Sequence, residues 1–207
     1  MTRRPTSPDH FDDLYRANAD PWKYGTSSYE AEKYSATLAA LPRRRYRSGL
    51  EAGCSIGILS QLLATRCDRL MAIDVSEIAI GRARKLAVNA PNIRFEQRRI
   101  PQGWPSRRFD LVVLSEILYY LSPAQVAGTA RRVTGGLDSD GTVATVNWLG
   151  ETDAMQTGEQ AADLFIQQAR PALKRSWHRR TAHYRIDIFQ RCPNEHPAGF
   201  ARYAGPR

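Results

Sequence analysis

In the stretch "LEAGCSIG", residues 50–57, Glu51, Gly53, Ser55 and Gly57 recur at every second position, and Asp74 closes the next apolar run, "RLMAID". Small residues at a strand-to-helix turn let backbone approach a ligand closely, and the helix that follows offers unbonded N–H groups. A dinucleotide fingerprint counted from Gly53 needs glycine at positions 55 and 58, where the chain has Ser55 and Ile58. The third small position falls instead at Gly57. The order is acidic-x-G-x-G-x-G with Ser55 at the middle glycine, a form that suits a nucleoside. A carboxylate at the end of the following strand, Asp74, can accept hydrogen bonds from both hydroxyls of a ribose. A plain strand-to-helix turn explains neither Glu51 nor Asp74.

A second reactive group ends a later apolar run, "FDLVVLSEILYY", which carries Ser115 and Glu116 and then Tyr119 and Tyr120. A carboxylate at such a strand end can hold an ammonium, or take a proton from an amine directly or through one water. A structural ion pair is the competing use. Tyr119, Tyr120 and Trp148 offer broad rings with polar tips that suit sugar faces, or else pack in the core. Nearer the N-terminus stand Trp22, Tyr24, Tyr29 and Lys33. With Ser27 or Ser28 as cap, "SSYEAEKYSATLAAL" becomes a helix that sets Tyr29 and Lys33 on one face.

These groups need a scaffold, and the chain supplies alternating strands and helices. Strand signals are "YRSGLEA", "RLMAID", "NIRFEQR", "FDLVVLSE", "GTVATVNWL" and "HYRIDIF", the last alternating like an edge or antiparallel strand. "GILSQLLATRC" reads as a helix with Leu59, Leu62 and Leu63 on one face. In "SEIAIGRARKLAVN", Ser76 is an N-cap and Ile78, Ile80, Ala83 and Leu86 are the apolar positions. In "SPAQVAGTARRVTGGL", Ser122 caps, Pro123 opens the first turn and Gly135–Gly136 break the helix near its end. "GEQAADLFIQQA" is another helix. The alternation predicts an α/β fold with a doubly wound, mostly parallel sheet and ligands at the carboxyl ends of its strands. One domain is expected: a helical lid segment over 1–45, a core over 46–191 and a flexible Pro- and Gly-rich tail over 192–207.

Bulk properties narrow the function. A chain of 207 residues can bury a proper core. No apolar stretch approaches the roughly 20 residues a bilayer needs, and "MTRRPTSPDHFDDLY" lacks the apolar centre of a signal peptide. Cys54, Cys67 and Cys192 are odd in number and scattered, which suits a reducing, cytoplasmic setting. The four histidines show no ligand spacing, so no metal is expected. The net charge of +9 comes from scattered arginine doublets and one tight cluster, Arg43–Arg45 with Arg47. Dispersed doublets read as solvated faces, and no nucleic-acid partner is expected.

The motifs resemble a known family. "LEAGCSIG", "MAIDVS" and "FDLVVLSEILYYL" look like the first, second and fourth motifs of class I S-adenosylmethionine-dependent methyltransferases, over about residues 46–150. The resemblance implies a seven-stranded Rossmann-like sheet, S-adenosyl-L-methionine as cofactor and S-adenosyl-L-homocysteine as its product. It places cofactor contacts at Glu51, Gly53, Ser55 and Gly57, at Asp74 and Val75, and at Ser115. Relatives usually carry an aspartate near the adenine where this chain has Arg99, so that contact passes to Arg99 and the backbone of Ile100. The leading segment "HFDDLYRANADPWKYGTSSYEAEKYSATLAALP" is similar to the Asp-Pro-Trp segment of the rhizobial nodulation N-methyltransferases. That similarity implies methylation of the free amine on the non-reducing glucosamine of a chitooligosaccharide during Nod-factor synthesis, with other enzymes of that synthesis as partners. Relatives outside the nodulation group often carry His-Trp where this chain has Asn147–Trp148.

Methyl transfer from a sulfonium is an in-line displacement, so such an enzyme mainly aligns donor and nucleophile and excludes water. An amine must react as the neutral base, and Glu116 is the candidate catalytic carboxylate. Trp22, Tyr29 and Lys33 are expected over the cofactor, with Lys33 pairing its carboxylate, unless that helix only packs. Tyr119, Tyr120 and Trp148 are the candidate acceptor contacts. Other readings are a methyltransferase for another small molecule and a basic RNA-directed methyltransferase or binding protein. An adenine-N6 enzyme would carry Asn/Asp-Pro-Pro-aromatic where this chain has "LSEI". A nicotinamide dehydrogenase is disfavoured by Ile58.

Overall fold

The computed structural model describes residues 8–192. Two helices lead, α1 (Pro8–Ala17) and α2 (Ser28–Ala40). Then β1 (Gly49–Ala52), α3 (Ile58–Ala64), β2 (Leu70–Asp74), α4 (Glu77–Leu86) and β3 (Ile93–Gln97) alternate. Next come β4 (Phe109–Ser115), a 3₁₀ turn at Leu118–Tyr120, α5 (Pro123–Gly136) and β5 (Leu137–Trp148). The described chain closes with α6 (Gly158–Ala169), β6 (Leu173–Arg180) and β7 (Tyr184–Arg191). The seven strands make one sheet in the order β3-β2-β1-β4-β5-β7-β6. β1 to β5 pair in parallel, and β7 runs antiparallel between β5 and β6. The order reverses at β1, whose neighbours are β2 and β4, so a crevice opens above the carboxyl ends of those three strands.

Helices cover both faces, which is why β1 and β4 are buried at every position and are mostly apolar, interrupted by Glu51 in β1 and by Asp110 and Ser115 in β4. On one face Val112, Leu114 and Val143 pack with Val126, Val133 and Phe165 from α5 and α6. On the other, Leu111, Val113 and Val146 pack with Leu59 and Leu63 of α3 and Tyr34 of α2. The expected caps are in place: Ser27 on α2, Ser76 on α4, and Ser122, which forms a reciprocal capping pair with Gln125 on α5.

Several expectations are corrected. The strand "LKRSWHRR", β6, carried no sequence signal because it is a basic edge strand, exposed at every position except Leu173. β7 is therefore interior rather than an edge, although antiparallel as its alternation suggested. Leu62 and Leu86 face solvent, at 38% and 46% exposure. In α3 the buried face turns to Leu59, Ser60, Leu63 and Ala64, because the Ser60 hydroxyl is drawn inward to donate to Glu51 at 2.5 Å.

The leading segment is not uniform. α2 belongs to the core through Tyr34, whereas α1 rests on α4, where Ser76 Oγ donates to Asp12 at 2.5 Å and Arg82 donates to the carbonyls of Asn18 and Ala19. Three members of the tight arginine cluster are paired: Arg43 with Asp110 and Asp140, Arg45 with Asp68, and Arg47 with Asp110. The expected tail past Cys192 lies outside the described residues. Among the described residues no helix is long and apolar enough to cross a membrane, and no group of His, Cys, Asp or Glu could hold a metal ion.

Candidate active site

The loop after β1 is shaped by backbone that only small residues tolerate. Gly53 has φ +82°, and a Cβ there would lie 1.9 Å from Ile117 Cγ2. Gly57 has φ +84°, with Ala83 Cβ at 3.0 Å from any added Cβ. Ser55 between them is also left-handed, at φ +51°. Its departure from glycine has a visible use, since Ser55 Oγ shares a short hydrogen bond with the hydroxyl of Tyr15 on α1.

Asp74 fixes this loop from β2. Its Oδ2 accepts the Ser55 N–H at 2.8 Å and its Oδ1 accepts the Ser76 N–H at 2.9 Å. Each oxygen keeps a further acceptor direction for a ligand hydroxyl. Burial pushes the Asp74 carboxyl up, and the N–H groups of Ser76, Ser55 and Val75 oppose that shift.

A cavity follows the sheet's switch point. Asp74 and Val75 line it at the end of β2, Arg98, Arg99 and Ile100 beyond β3, Gly53 and Ser55 at β1, and Ser115, Glu116, Ile117 and Tyr120 at the end of β4 and beyond. Its roof is aromatic: Phe11, Tyr15, Trp22 and Tyr24 from the leading segment. These rings brace one another, with Phe11 edge-on to Tyr120 at 5.2 Å and Trp22 stacked on Tyr24 at 5.6 Å. A smaller cavity shares Tyr24, Gly53, Ser55, Ser115 and Glu116 and reaches Glu51 and Tyr34. Burial pushes the Glu51 carboxyl up to about 7, with the Ser60 hydroxyl opposing and Asp74 adding to the shift.

Glu116 leaves β4 with φ +60° and is held by three donors. Its Oε1 accepts from Lys33 Nζ at 2.9 Å, and its Oε2 accepts from the Tyr119 hydroxyl at 2.6 Å and the Trp148 N–H at 3.0 Å. A carboxylate has about four acceptor positions, so one remains for a ligand N–H. Lys33 is also bonded to Glu30 at 2.9 Å. Burial pushes the Glu30 carboxyl up, and the Lys33 ammonium opposes it.

The cavity thus gathers Trp22, Gly53, Ser55, Asp74, Val75, Arg99, Ile100, Ser115, Glu116 and Tyr120 of the expected residues, and Glu51 joins through the smaller chamber. Gly57 lies behind the loop, against Ala83 and Phe95. Lys33 and Tyr119 stand behind Glu116 as its partners, so in this arrangement the Lys33 ammonium is committed to protein carboxylates. Tyr29 and Trp148 form a separate aromatic group with His183, which stacks on Trp148 at 5.8 Å. Phe11, Tyr15 and Glu30 were not anticipated. Phe11 and Tyr15 were findable, being one helical turn apart in "FDDLY"; Glu30 was findable as the i,i+3 partner of Lys33, but its place behind Glu116 had no local signal.

A parallel sheet reversing at β1, a glycine loop above it and an acidic end to β2 define the class I methyltransferase fold. Solved structures agree. A Pseudomonas syringae protein assigned as a methyltransferase is 33% identical, with a TM-score of 0.71 over 80% of this chain and 100% of that one. The N-methyltransferase NodS of Bradyrhizobium japonicum in complex with S-adenosyl-L-homocysteine shares the fold at 23% identity, with a TM-score of 0.74 over 90% of this chain and 99% of that one. The profile of the NodS family, Nodulation protein S, matches residues 7–147, and the chain belongs to that family. Nodulation protein S of Sinorhizobium fredii is 34% identical over 115 residues, 55% of this chain and 53% of the relative. That of Bradyrhizobium diazoefficiens is 36% identical over 104 residues, 49% of each. The matched stretch spans about half the length of these curated relatives.

Proposed function

We propose that this protein is an N-methyltransferase that uses S-adenosyl-L-methionine, and that its acceptor is the free amine of the non-reducing glucosamine of a chitooligosaccharide. The observation that carries the reading is that Asp74, Glu116 and the glycine-loop residues Gly53 and Ser55 line one cavity. The residues present fit the cofactor. Asp74 has acceptor directions to spare for two ribose hydroxyls, Val75 and Ile100 offer apolar walls for an adenine, and the loop admits close backbone approach. Glu116 brings negative charge to the end where a cationic methionyl group would lie, and Glu51 adds a carboxyl that can accept or donate a hydrogen bond there. The bound cofactor supplies an activated methyl on a sulfonium.

The protein's own work is alignment and shielding. The roof of Phe11, Tyr15, Trp22 and Tyr24 excludes water from the reacting atoms. The remaining acceptor position on Glu116 orients one amine N–H and receives the proton that an ammonium must lose before it can attack. Tyr120 offers a ring at the cavity wall for a pyranose face. The sugar assignment rests on the family, and the amine on Glu116.

The test is mass spectrometry of partly deacetylated chitooligosaccharides incubated with the protein and S-adenosyl-L-methionine. One or more methyls located on the terminal amine support the reading. Methylation of other small amines but not of these sugars would leave the transferase and remove the acceptor. No transfer to any amine would remove both.

A further inference from the structure

Lys33 serves two carboxylates, and the arrangement is unbalanced. Its ammonium is 2.9 Å from Glu30 Oε1 and 2.9 Å from Glu116 Oε1. The three side chains are nearly sealed from solvent, at 10% exposure for Glu30, 2% for Lys33 and 9% for Glu116. With both carboxylates ionised, as the shared Lys33 ammonium favours for Glu30, two anions and one cation leave one uncompensated negative charge where water and salt screen it poorly. Glu116 lines the cavity, while Glu30 and Lys33 stand behind it on α2, one turn apart. Without Glu30, Lys33 and Glu116 would form a neutral pair and the cavity would lose that charge.

The ligand proposed for this cavity changes its charge during the reaction. The donor carries a sulfonium cation, and the product left after transfer is a neutral thioether of nearly the same shape. A fixed negative charge at the reacting end favours the first over the second, and shape alone cannot. We infer that Glu30 is a positioning residue that keeps Lys33 from neutralising Glu116, so that the buried cluster discriminates the sulfonium donor from its thioether product. The inference rests on the assignment of S-adenosyl-L-methionine to the cavity. A merely structural Glu30, anchoring α2, would be indifferent to the charge of the ligand.

The experiment is calorimetric binding of S-adenosyl-L-methionine and S-adenosyl-L-homocysteine to the wild type and to Glu30→Gln. A unit charge acting over about 10 Å at an effective dielectric of about 20 corresponds to about a tenfold change. The variant is therefore expected to weaken donor binding about tenfold relative to product binding, and Glu30→Asp to restore the ratio. Asp74, Glu51, Arg98 and Arg99 are untouched, so the ratio isolates the cluster. An unchanged ratio, or equal weakening of both ligands, overturns the inference. Should Glu30→Gln fail to fold, Lys33→Met removes the cation and is expected to move the ratio the other way, toward the donor. Movement toward the product, or none, overturns the inference. If the wild type binds neither ligand, the cofactor assignment itself falls; if it binds both and the variants leave the ratio alone, only the charge inference falls.

Discussion

The ammonium of Lys33 lies 2.9 Å from a carboxylate oxygen of Glu116, tying the leading helix α2 to the end of β4. That contact makes Glu116 a structural tie as well as the carboxylate proposed to orient the acceptor amine. Substituting Glu116→Gln keeps the shape and removes the charge. kcat is expected to fall by roughly 10²–10³, inside the usual range for a general base, with partial recovery as pH rises and the acceptor amine becomes neutral on its own. A near-normal kcat at neutral pH would reduce Glu116 to the tie alone.

Asp74 is expected to govern cofactor affinity rather than turnover. Asp74→Ala should lose about 1.5–3 kcal/mol of binding, the cost of losing charge-assisted hydrogen bonds. Because Asp74 also holds the N–H groups of Ser55 and Ser76, a stability loss should accompany it. Calorimetry and thermal unfolding on the same variant separate the two effects. Undiminished affinity would show that the ribose is held elsewhere.

The roof should depend on one hydrogen bond between α1 and the loop. Tyr15→Phe and Ser55→Gly each remove it, and each is expected to cost about 1 kcal/mol of cofactor affinity. The double variant should cost little more than either alone, since the two changes break the same bond. Simple additivity in a binding cycle would mean that the two residues act separately. Deleting residues 1–26 should weaken binding further and leave the fold, whereas a cut extended through 34 should unfold it by removing Tyr34 from the core.

Glu51 predicts a pH dependence of stability. Its carboxyl, 1% exposed, is pushed from 4.5 up to about 7, so the folded state holds the proton more tightly than the unfolded chain. The contribution is fully present below the unfolded value near 4.5 and is lost as pH rises to about 7, a decline of about 3 kcal/mol. Glu51→Gln should remove that part of the decline and be the more stable protein at pH 8. Denaturant titrations of both proteins at pH 4.5 and pH 8 give the difference; parallel declines would assign the dependence to other groups.

What is local or periodic was legible in the residues alone. Ser27, Ser76 and Ser122 announced helix starts because a cap acts within one turn, and the apolar runs of β1, β2 and β4 announced buried strands because both faces of that sheet are covered. Gly53, Gly57 and Asp74 were legible because a tight turn and a strand end fix their use within a short stretch. Tertiary structure alone decided what depends on distant partners. It turned Leu62 outward so that Ser60 could meet Glu51, added the basic strand β6 by pairing it with β7, and set Tyr15 on Ser55. It also brought Lys33, with Glu30 bonded beside it, to Glu116 across 83 residues of sequence separation. Hydrogen bonds and ion pairs of that kind leave no periodic trace, because their strength comes from burial and geometry that exist only once the sheet has closed.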